Sequence, residues 1–373
     1  MIYLDSAATS FQKPPEVMRA VNYALSQCAS PGRGIHAAAM RASELVYSCR
    51  EEAARLFHVP SPEQVIFTVN ATHALNIAIG SLVRPGGRVL VSGFEHNAVM
   101  RPLYARSPVL TVARTPLFDR EKLLDFFIRH IGEAETVVCT HVSNVFGFIL
   151  PIGEIAELCR EHGVPLIIDA SQSAGVLPID FESLGAEFIA MPGHKGLLGP
   201  QGTGLLLCRS GGEPLLLGGT GSESESHTMP EGLPDRLEAG THNVPGIAGL
   251  RAGIRYIRRR GVASIARAER IALERLGDGL SAVPGLRVFR NGQNQTGALS
   301  VIPAGGDCEG FAEALGRYGV AVRAGLHCAP SAHETAGTLE TGTVRFSVSP
   351  FTTVREIGEA VRITENISKF YYK

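Results

Sequence analysis

Strand-like and helix-like patterns alternate over the first part of the chain. Apolar and β-branched runs predict buried strands, and they occupy residues 64–68, 88–91, 136–142, 165–169 and 187–191. Apolar residues at helical spacing predict helices between these runs, as at residues 74–82 and 152–162. Such alternation is typical of a mainly parallel, doubly wound sheet with helices on both faces. We therefore predict one large α/β domain over residues 15–245.

The remainder of the chain has the pattern of a smaller α/β domain. Helical spacing begins at residue 245, and further helices are predicted at residues 267–283, 309–318 and 354–367. Short strands are predicted at residues 286–289, 299–302 and 320–323. The N-terminal segment is expected to pack against this part of the chain. The predicted small domain thus comprises residues 1–14 and 246–373.

Two polar segments lie close to the predicted domain boundary at residue 245. Residues 211–240 are rich in glycine, serine, glutamate and proline, and a loop of this length usually serves a function or an interface. The helix that follows carries a basic face, which we interpret as exposed to solvent. Its members are Arg255, Arg258, Arg259 and Arg260.

Composition and charge favour a soluble protein with small-molecule or protein partners. Hydrophobic residues make up 45% of the 373 positions, and 35 basic against 36 acidic residues give a net charge of −1. This balance does not indicate the excess of basic residues that is typical of proteins that bind nucleic acid or an anionic membrane. The N-terminus lacks the pattern of a secretion signal, and no apolar run approaches ~20 residues. We therefore expect a cytoplasmic protein.

The seven cysteines are scattered, at positions 28, 49, 139, 159, 208, 308 and 328. Their odd number and the lack of a CxxC pair argue against a disulfide framework and against a zinc site. A reducing compartment fits this usage, and we expect no metal.

Two charged residues follow neighbouring predicted strands. Asp169 ends one strand, and Lys195 lies in a glycine-rich turn after the next. Open α/β sheets bind ligands at the carboxyl ends of their strands. A lysine that reaches a cofactor aldehyde and an acid that keeps a pyridine nitrogen protonated are the pair that pyridoxal phosphate (PLP) needs. Taken alone, such an acid is often a helix cap, and a lone lysine is usually a surface residue.

The motif around this pair carries a family resemblance. Asp169-x-x-Gln172, followed by Gly193-His194-Lys195, resembles the class V branch of fold-type I PLP enzymes, specifically the cysteine desulfurase and selenocysteine lyase family. Matches to that family run along nearly the whole chain. The resemblance implies the fold of type I PLP-dependent transferases, with a large PLP-binding domain and a smaller C-terminal domain.

The resemblance also assigns residues to the cofactor. It implies that Lys195 carries PLP, that Asp169 faces the pyridine nitrogen and that His96 stacks on the ring. Thr72 is implied to bind the phosphate and is predicted to cap the helix that starts there, where free amides attract an anion. Further cofactor contacts are implied for His73, Gln172, His194 and Thr241. The last of these would cross a dimer interface.

Three positions depart from the family's pattern. His73 stands where relatives more often carry an acid, and His242 stands where a proline commonly follows the interface threonine. Pro192 replaces a serine whose hydroxyl binds phosphate in relatives. Because proline has no donor, we expect weaker cofactor binding, by about 1.5–3 kcal/mol, and not its loss.

Four more residues are implied on the substrate side. Cys328 resembles the catalytic cysteine of desulfurases, in a short loop of the kind that shelters this residue. Arg345 matches the arginine that binds the substrate α-carboxylate, a planar target that suits a guanidinium fork. Asn144 is implied to contact the substrate or the cofactor, and His36 to lie near the active site of its own or the neighbouring subunit.

These residues together imply a PLP-dependent cysteine desulfurase. The resemblance implies conversion of L-cysteine to L-alanine, with Lys195 moving the α-proton and the Cys328 thiolate taking the sulfur as a persulfide. It also implies a homodimer and a protein that accepts the sulfur.

Alternatives stay open at this point. Selenocysteine lysis and other class V carbon–sulfur lyase reactions are not separable by sequence, since cysteine and selenocysteine differ by one atom. Plain transamination has no use for the Cys328 thiol. A non-catalytic PLP-binding scaffold for sulfur relay is a different class of function, and the joint presence of Lys195, Cys328 and Arg345 disfavours it.

Overall fold

A seven-stranded sheet forms the centre of the large domain in the computed structural model, which describes residues 1–32 and 34–371. In chain order the strands are β1 (Ile2–Tyr3), β2 (Val65–Thr68), β3 (Arg88–Ser92), β4 (Val109–Ala113), β5 (Thr136–Thr140), β6 (Leu166–Asp169), β7 (Phe188–Pro192), β8 (Gly204–Cys208), β9 (Leu286–Phe289), β10 (Ala298–Pro303), β11 (Val320–Ala321), β12 (Arg323–Gly325) and β13 (Thr343–Ser347). The helices are α1 (Pro15–Gln27), α2 (Ala37–Phe57), α3 (Ala71–Leu82), α4 (Asn97–Ala105), α5 (Arg120–His130), α6 (Ile152–His162), α7 (Phe181–Leu184), α8 (Val244–Arg260), α9 (Val262–Ser281), α10 (Cys308–Arg317), α11 (Pro330–Ala336) and α12 (Val354–Tyr371).

The large sheet has the strand order β2-β8-β7-β6-β5-β3-β4. Strands β4, β3, β5, β6 and β7 are mutually parallel, whereas β8 is antiparallel to both β7 and β2. Most of these strands are buried along their whole length, because two apolar clusters cover the sheet from opposite faces. The predicted mainly parallel, doubly wound sheet is confirmed. The reversed strand β8 was not among the predicted strands.

A separate four-stranded antiparallel sheet, ordered β12-β13-β10-β9, forms the small domain with α9, α10 and α12. The N-terminal strand β1 pairs in parallel with β11, as expected for an N-terminus that packs against this domain. The single strand predicted at residues 320–323 is wrong, because β11 and β12 belong to different sheets. The domain limits themselves stay a prediction, and the apolar face of α8 contributes to the core of the large sheet.

The arginines at the end of α8 have partners on two other helices. Arg258 forms an ion pair with Glu52 of α2, and Arg259 lies 2.7 Å from Glu16 of α1. Arg255 also approaches Glu52, at 3.7 Å. The interpretation as a face exposed only to solvent is therefore incomplete, since the same side chains join three helices.

Within the part of the chain that the structure describes, no helix combines the length and the apolar character needed to cross a membrane. In the same residues, no three His, Cys, Asp or Glu side chains are grouped to hold a metal ion.

Candidate active site

The carboxyl ends of β5, β6 and β7 meet at one pocket of about 230 Å³. The N-termini of α3 and α4 and the small-domain strands β12 and β13 close its other sides. Eight of the predicted site residues line this pocket: Thr72, His96, Asn144, Asp169, Gln172, His194, Lys195 and Arg345. The structure therefore brings together side chains that are up to 273 positions apart in sequence (345 − 72 = 273).

Lys195 and Asp169 lie at adjacent strand ends, since β6 pairs with β7 up to Asp169 and Ala190. Burial lowers the pKa of Lys195 to about 8, and the nearby Asp169 opposes this shift. Asp169 is buried, and one of its carboxylate oxygens accepts a hydrogen bond from the Ser171 amide at 2.9 Å. The pair thus combines a fixed acid with an amine that loses its proton more readily than an exposed lysine does.

The N-terminus of α3 faces the same pocket. Asn70 caps this helix by accepting a hydrogen bond from the His73 amide at 2.8 Å, so the prediction that Thr72 is the cap is wrong. Thr72 lies in the first helical turn, beside the amides that begin the helix. Free amides and a hydroxyl at a helix N-terminus form a site for an anion such as a phosphate.

His96 caps the next helix, α4. Its Nδ1 accepts a hydrogen bond from the Ala98 amide at 2.9 Å. Burial lowers the pKa of His96 to about 4, although Asp169 favours its protonated form. At neutral pH the side chain is therefore a flat, uncharged aromatic ring at the pocket wall.

The N-terminal segment closes the pocket from the side of the small domain. The Gln172 amide donates to the Ala7 carbonyl at 3.0 Å, and His194 Nδ1 lies 3.0 Å from Thr9 Oγ1. Pro192 also lines the pocket, where it offers no donor. These contacts hold residues 7 and 9 of the N-terminal segment against the pocket.

Arg345 is an almost fully buried cation at the pocket floor. One guanidinium nitrogen lies 2.8 Å from the Asp5 carboxylate, and another donates to the Asn144 carbonyl at 2.9 Å. Its Nε and the Asn144 Oδ1 atom are buried and have no hydrogen-bond partner among residues 1–32 and 34–371. Unpaired buried polar atoms are costly, so both mark a place where a polar ligand fits.

The loop that carries Cys328 is anchored on both sides. The Asn97 amide donates to the Cys328 carbonyl at 2.7 Å, and Asn144 Nδ2 donates to the His327 carbonyl at 2.8 Å. His327 and Cys328 both have positive φ angles, 49° and 57°, a conformation that side chains other than glycine adopt only when their surroundings impose it. The cysteine is thus presented by a turn that neighbouring elements hold in place.

Cys328 is exposed in this single chain, so the expected sheltering is wrong for the isolated subunit. Its sulfur lies 3.9 Å from the Arg323 guanidinium. Cys28 is half-buried and the other five cysteines are buried. Burial raises the pKa of Cys49 to about 12, which leaves that thiol inert.

Four predicted site residues are not in the lining of this pocket. One is Cys328, whose neighbour His327 does line it. His36 is exposed and caps α2, in a predicted pocket segment whose Arg33 lies outside the described residues. His73 and Thr241 line a neighbouring pocket. Glu238, three residues before Thr241, forms a buried ion pair with Arg50. One guanidinium nitrogen of Arg50 donates to Glu238 Oε1 at 2.7 Å.

Sequence reasoning missed two charged residues of the site. Asp5 holds Arg345, and Arg323 lies between Arg345 and the Cys328 loop at the pocket rim. Arg323 was the last residue of a predicted strand, five positions before Cys328, so its strand-end position was a usable signal. Nothing in the local pattern around Asp5 indicated a partner 340 positions away.

Comparison with known proteins places the chain among relatives of one kind. Residues 2–359 match the family described as aminotransferase class-V. A probable cysteine desulfurase of Methanothermobacter thermautotrophicus is 34% identical over 368 residues, which cover 95% of this chain and 92% of the relative. The apo structure of a cysteine desulfurase from Thermococcus onnurineus superposes with a TM-score of 0.92 at 29% identity, covering 99% of this chain and 95% of the other. A cysteine desulfurase from Escherichia coli gives a TM-score of 0.85 at 26% identity, with the same coverage.

Proposed function

The chain belongs to the aminotransferase class-V family, and from this premise we propose that it is a PLP-dependent cysteine desulfurase that converts L-cysteine to L-alanine and leaves a persulfide on Cys328. The observation that carries the proposal is the pocket that joins Lys195 and Asp169 to Arg345, with the exposed Cys328 on a fixed turn at its rim. The desulfurase names of the relatives from Methanothermobacter, Thermococcus and Escherichia coli support the same activity.

The residues present fit PLP. Lys195 offers an amine of lowered pKa for the aldehyde, and the buried Asp169 offers a carboxylate for the pyridine nitrogen. The first turn of α3 with Thr72, together with His194, would hold the phosphate. The uncharged ring of His96 would lie against the cofactor face, and the unpartnered Asn144 Oδ1 supplies a free acceptor in the same pocket.

When bound, PLP supplies an electron-withdrawing ring that weakens the bonds at the substrate α-carbon. Lys195 then serves as the group that removes and returns protons at that carbon. Its pKa of about 8 suits this role, because a proton-transfer group works best when its pKa lies near the working pH.

Arg345 would hold the substrate through its α-carboxylate. The guanidinium is already oriented by the Asp5 carboxylate and the Asn144 carbonyl, so little rotamer entropy is lost when the substrate binds.

Cys328 would accept the sulfur. Its thiolate forms a bond to the substrate sulfur while the bond from that sulfur to Cβ breaks. The electron pair stays on the alanine fragment, which takes up a proton and leaves as alanine. The Arg323 guanidinium lies 3.9 Å from the sulfur that begins this step.

Cys328→Ala is the test of this proposal. The variant should still bind PLP and still change the cofactor's visible spectrum when L-cysteine is added, because Lys195, Asp169 and Arg345 are untouched. Sulfide release with a reductant, and alanine formation, should fall to background, since no other described cysteine is exposed. Alanine is measured by amino-acid analysis and the persulfide by mass spectrometry, with Cys28→Ala as the matched control.

Sulfide and alanine at wild-type rates from Cys328→Ala would overturn the proposal in favour of direct elimination. Selenocysteine is the competing substrate, and the alanine yields from cysteine and selenocysteine under equal conditions decide between the two.

We also propose that the active enzyme is a homodimer. Thr241 lies outside the pocket of its own chain, and several apolar side chains beside it and on α1 are exposed, among them Met18, Leu216 and Leu217. A partner subunit would cover this surface and bring Thr241 to the other subunit's phosphate. Light scattering should give twice the 39.7 kDa of one chain. Full activity in a species with the mass of a single chain would contradict the dimer.

The exposed Cys328 is suited to pass its sulfur to an acceptor protein, which we propose as the physiological partner. The cytoplasmic location stays a prediction.

A further inference from the structure

Asn70 lines the large pocket directly before the first turn of α3, and sequence reasoning assigned it no role. This turn, with Thr72 and His194, is the end of the pocket that would hold the phosphate of PLP. Oδ1 of Asn70 accepts a hydrogen bond from the His73 amide at 2.8 Å and so caps the helix. Nδ2, the other polar atom of the same side chain, has no hydrogen-bond partner among residues 1–32 and 34–371. Asn70 is exposed in the single chain, so its two side-chain N–H groups are open to a ligand.

The cap restricts the direction of this amide group. Oδ1 and Nδ2 belong to one planar amide, so the hydrogen bond at Oδ1 also restricts Nδ2. His73 does not compete for the same space, because its Nδ1 accepts a hydrogen bond from the Val69 amide at 3.4 Å and the residue lines the neighbouring pocket. The polar side chains that the start of α3 presents to the large pocket are therefore those of Asn70 and Thr72.

The sheet brings Asn70 close to Pro192. Gly204 of β8 pairs with Thr68 of β2 on one side and with Pro192 of β7 on the other. The backbone of Asn70 crosses Gly204 so closely that a Cβ on this glycine would lie 3.0 Å from the Asn70 Cα. The absence of a side chain at Gly204 thus allows the turn before α3 to lie one strand away from Pro192.

The phosphate end of the pocket has few other donors. Pro192 offers none, and burial lowers the pKa of His194 to about 4, so that its ring is uncharged at neutral pH. Thr72 adds a single hydroxyl, whereas a phosphate group presents three acceptor oxygens. The amide of Asn70, one strand away from Pro192, is a further donor at this end.

We propose that the side-chain amide of Asn70 donates a hydrogen bond to the phosphate of PLP and so makes up for the donor that Pro192 lacks. Its oxygen keeps capping α3, so one residue holds both the helix and the cofactor. The chemistry that Asn70 recognises is a phosphate monoester, and the pyridine ring takes no part. This inference rests on the proposed function, which needs PLP in this pocket.

The test compares PLP with pyridoxal, which lacks the phosphate. Asn70→Gly removes the amide, and glycine replaces asparagine at a helix cap with little loss of stability. The backbone at Asn70 is extended, with φ −173° and ψ 176°, so glycine fits there without strain. The dissociation constant of PLP from the apo-protein, followed by its visible spectrum, should rise by about 10- to 100-fold. That of pyridoxal should change by less than about twofold, because only the small effect on the cap remains.

Inorganic phosphate gives a readout without the aldehyde. It should raise the unfolding midpoint of the wild-type apo-protein above the midpoint in chloride at equal ionic strength, and raise it less in Asn70→Gly. Asp307→Gly is the matched control, since Asp307 caps α10 by accepting a hydrogen bond from the Gly310 amide at 2.9 Å and does not line the pocket. This variant should keep the affinities for PLP and pyridoxal and the response to phosphate.

Pro192→Ser provides a rescue experiment, because it places a hydroxyl at the neighbouring strand end. In the Asn70→Gly background it should recover part of the lost affinity for PLP and leave the affinity for pyridoxal unchanged. A double variant that binds PLP no better than Asn70→Gly would contradict the compensation between the two positions.

Equal dissociation constants of PLP for the wild type and Asn70→Gly, or equal losses for PLP and pyridoxal, would overturn the inference and leave Asn70 as a helix cap alone. Equal responses of the two proteins to inorganic phosphate would do the same. If Asn70→Gly does not fold, Asn70→Ser replaces it, since serine caps a helix but has no NH2 group, and an unchanged PLP affinity of that variant would likewise count against the inference. A wild type that binds no PLP would instead refute the proposed function, so the two failures are distinguishable.

Discussion

Replacement of Lys195 by alanine is expected to abolish alanine formation from cysteine, with a loss of at least about 10³-fold, because the variant lacks both the amine that binds the cofactor and the group that moves the α-proton. Borohydride reduction of the wild type with PLP should place the cofactor mass on the peptide that contains Lys195. The same treatment of Lys195→Ala should give no labelled peptide.

Lys13→Ala is the matched control for this experiment. Lys13 is also partly buried, and burial lowers its pKa to about 8, but its ammonium donates to Ser10 at 2.8 Å and does not line the large pocket. This variant should keep its labelled peptide and its activity. A reducible adduct on another lysine of an active Lys195→Ala protein would contradict the assignment of Lys195 as the lysine that carries PLP.

The lowered pKa of Lys195 also predicts how fast the apo-protein captures PLP. A pKa of about 8 leaves about one-tenth of the amines unprotonated at pH 7, far more than for an ordinary lysine. The capture rate should therefore rise with pH and level off above about 8. A rate that kept rising towards pH 10 would show an amine of ordinary pKa.

Replacement of Arg345 by alanine is expected to have the largest effect on stability. The change leaves the Asp5 carboxylate and the Asn144 carbonyl without their donor in a buried site, and breaking a buried ion pair costs about 3–5 kcal/mol. It also removes the donors for the substrate α-carboxylate, so KM for cysteine should rise by about 10²-fold. Denaturant unfolding and steady-state kinetics measure the two effects.

Asp5→Asn separates the two roles of Arg345. The amide oxygen of asparagine can still accept a hydrogen bond from Arg345, while the charge is lost. We expect part of the stability loss and a much smaller rise in KM. If Arg345→Ala leaves KM within twofold of the wild type, Arg345 serves the fold alone and the substrate carboxylate binds elsewhere.

Much of the large domain could be predicted from local patterns. Helix α6 begins and ends where the spacing of apolar residues placed it, at residues 152–162, and the strand before Asp169 was predicted within one residue. These predictions succeed because a strand buried on both faces is apolar throughout and a packed helix repeats its apolar residues every three to four positions. Asp169 was found because it ends such a strand, and Lys195 because it lies in the turn after the next strand.

Local patterns failed where the structure depends on distant partners. The run 320–323 has one apolar pattern but is divided between two sheets, because β11 pairs with β1 and β12 pairs with β13. The cap of α3 was assigned to Thr72 although Asn70 holds that place, since both residue types cap helices and only the turn geometry distinguishes them.

The chemistry of the site could likewise be predicted only in part from the sequence. The identities of its lysine, acid and cysteine, and their places at strand ends or in a loop, follow from the order of residues along the chain. The ion pair of Asp5 with Arg345, the hydrogen bond from Asn144 to the Cys328 loop and the burial of the Asn144 Oδ1 atom arise only in the folded chain. They join or isolate groups that are far apart in sequence, and their energies depend on burial, which local sequence does not specify.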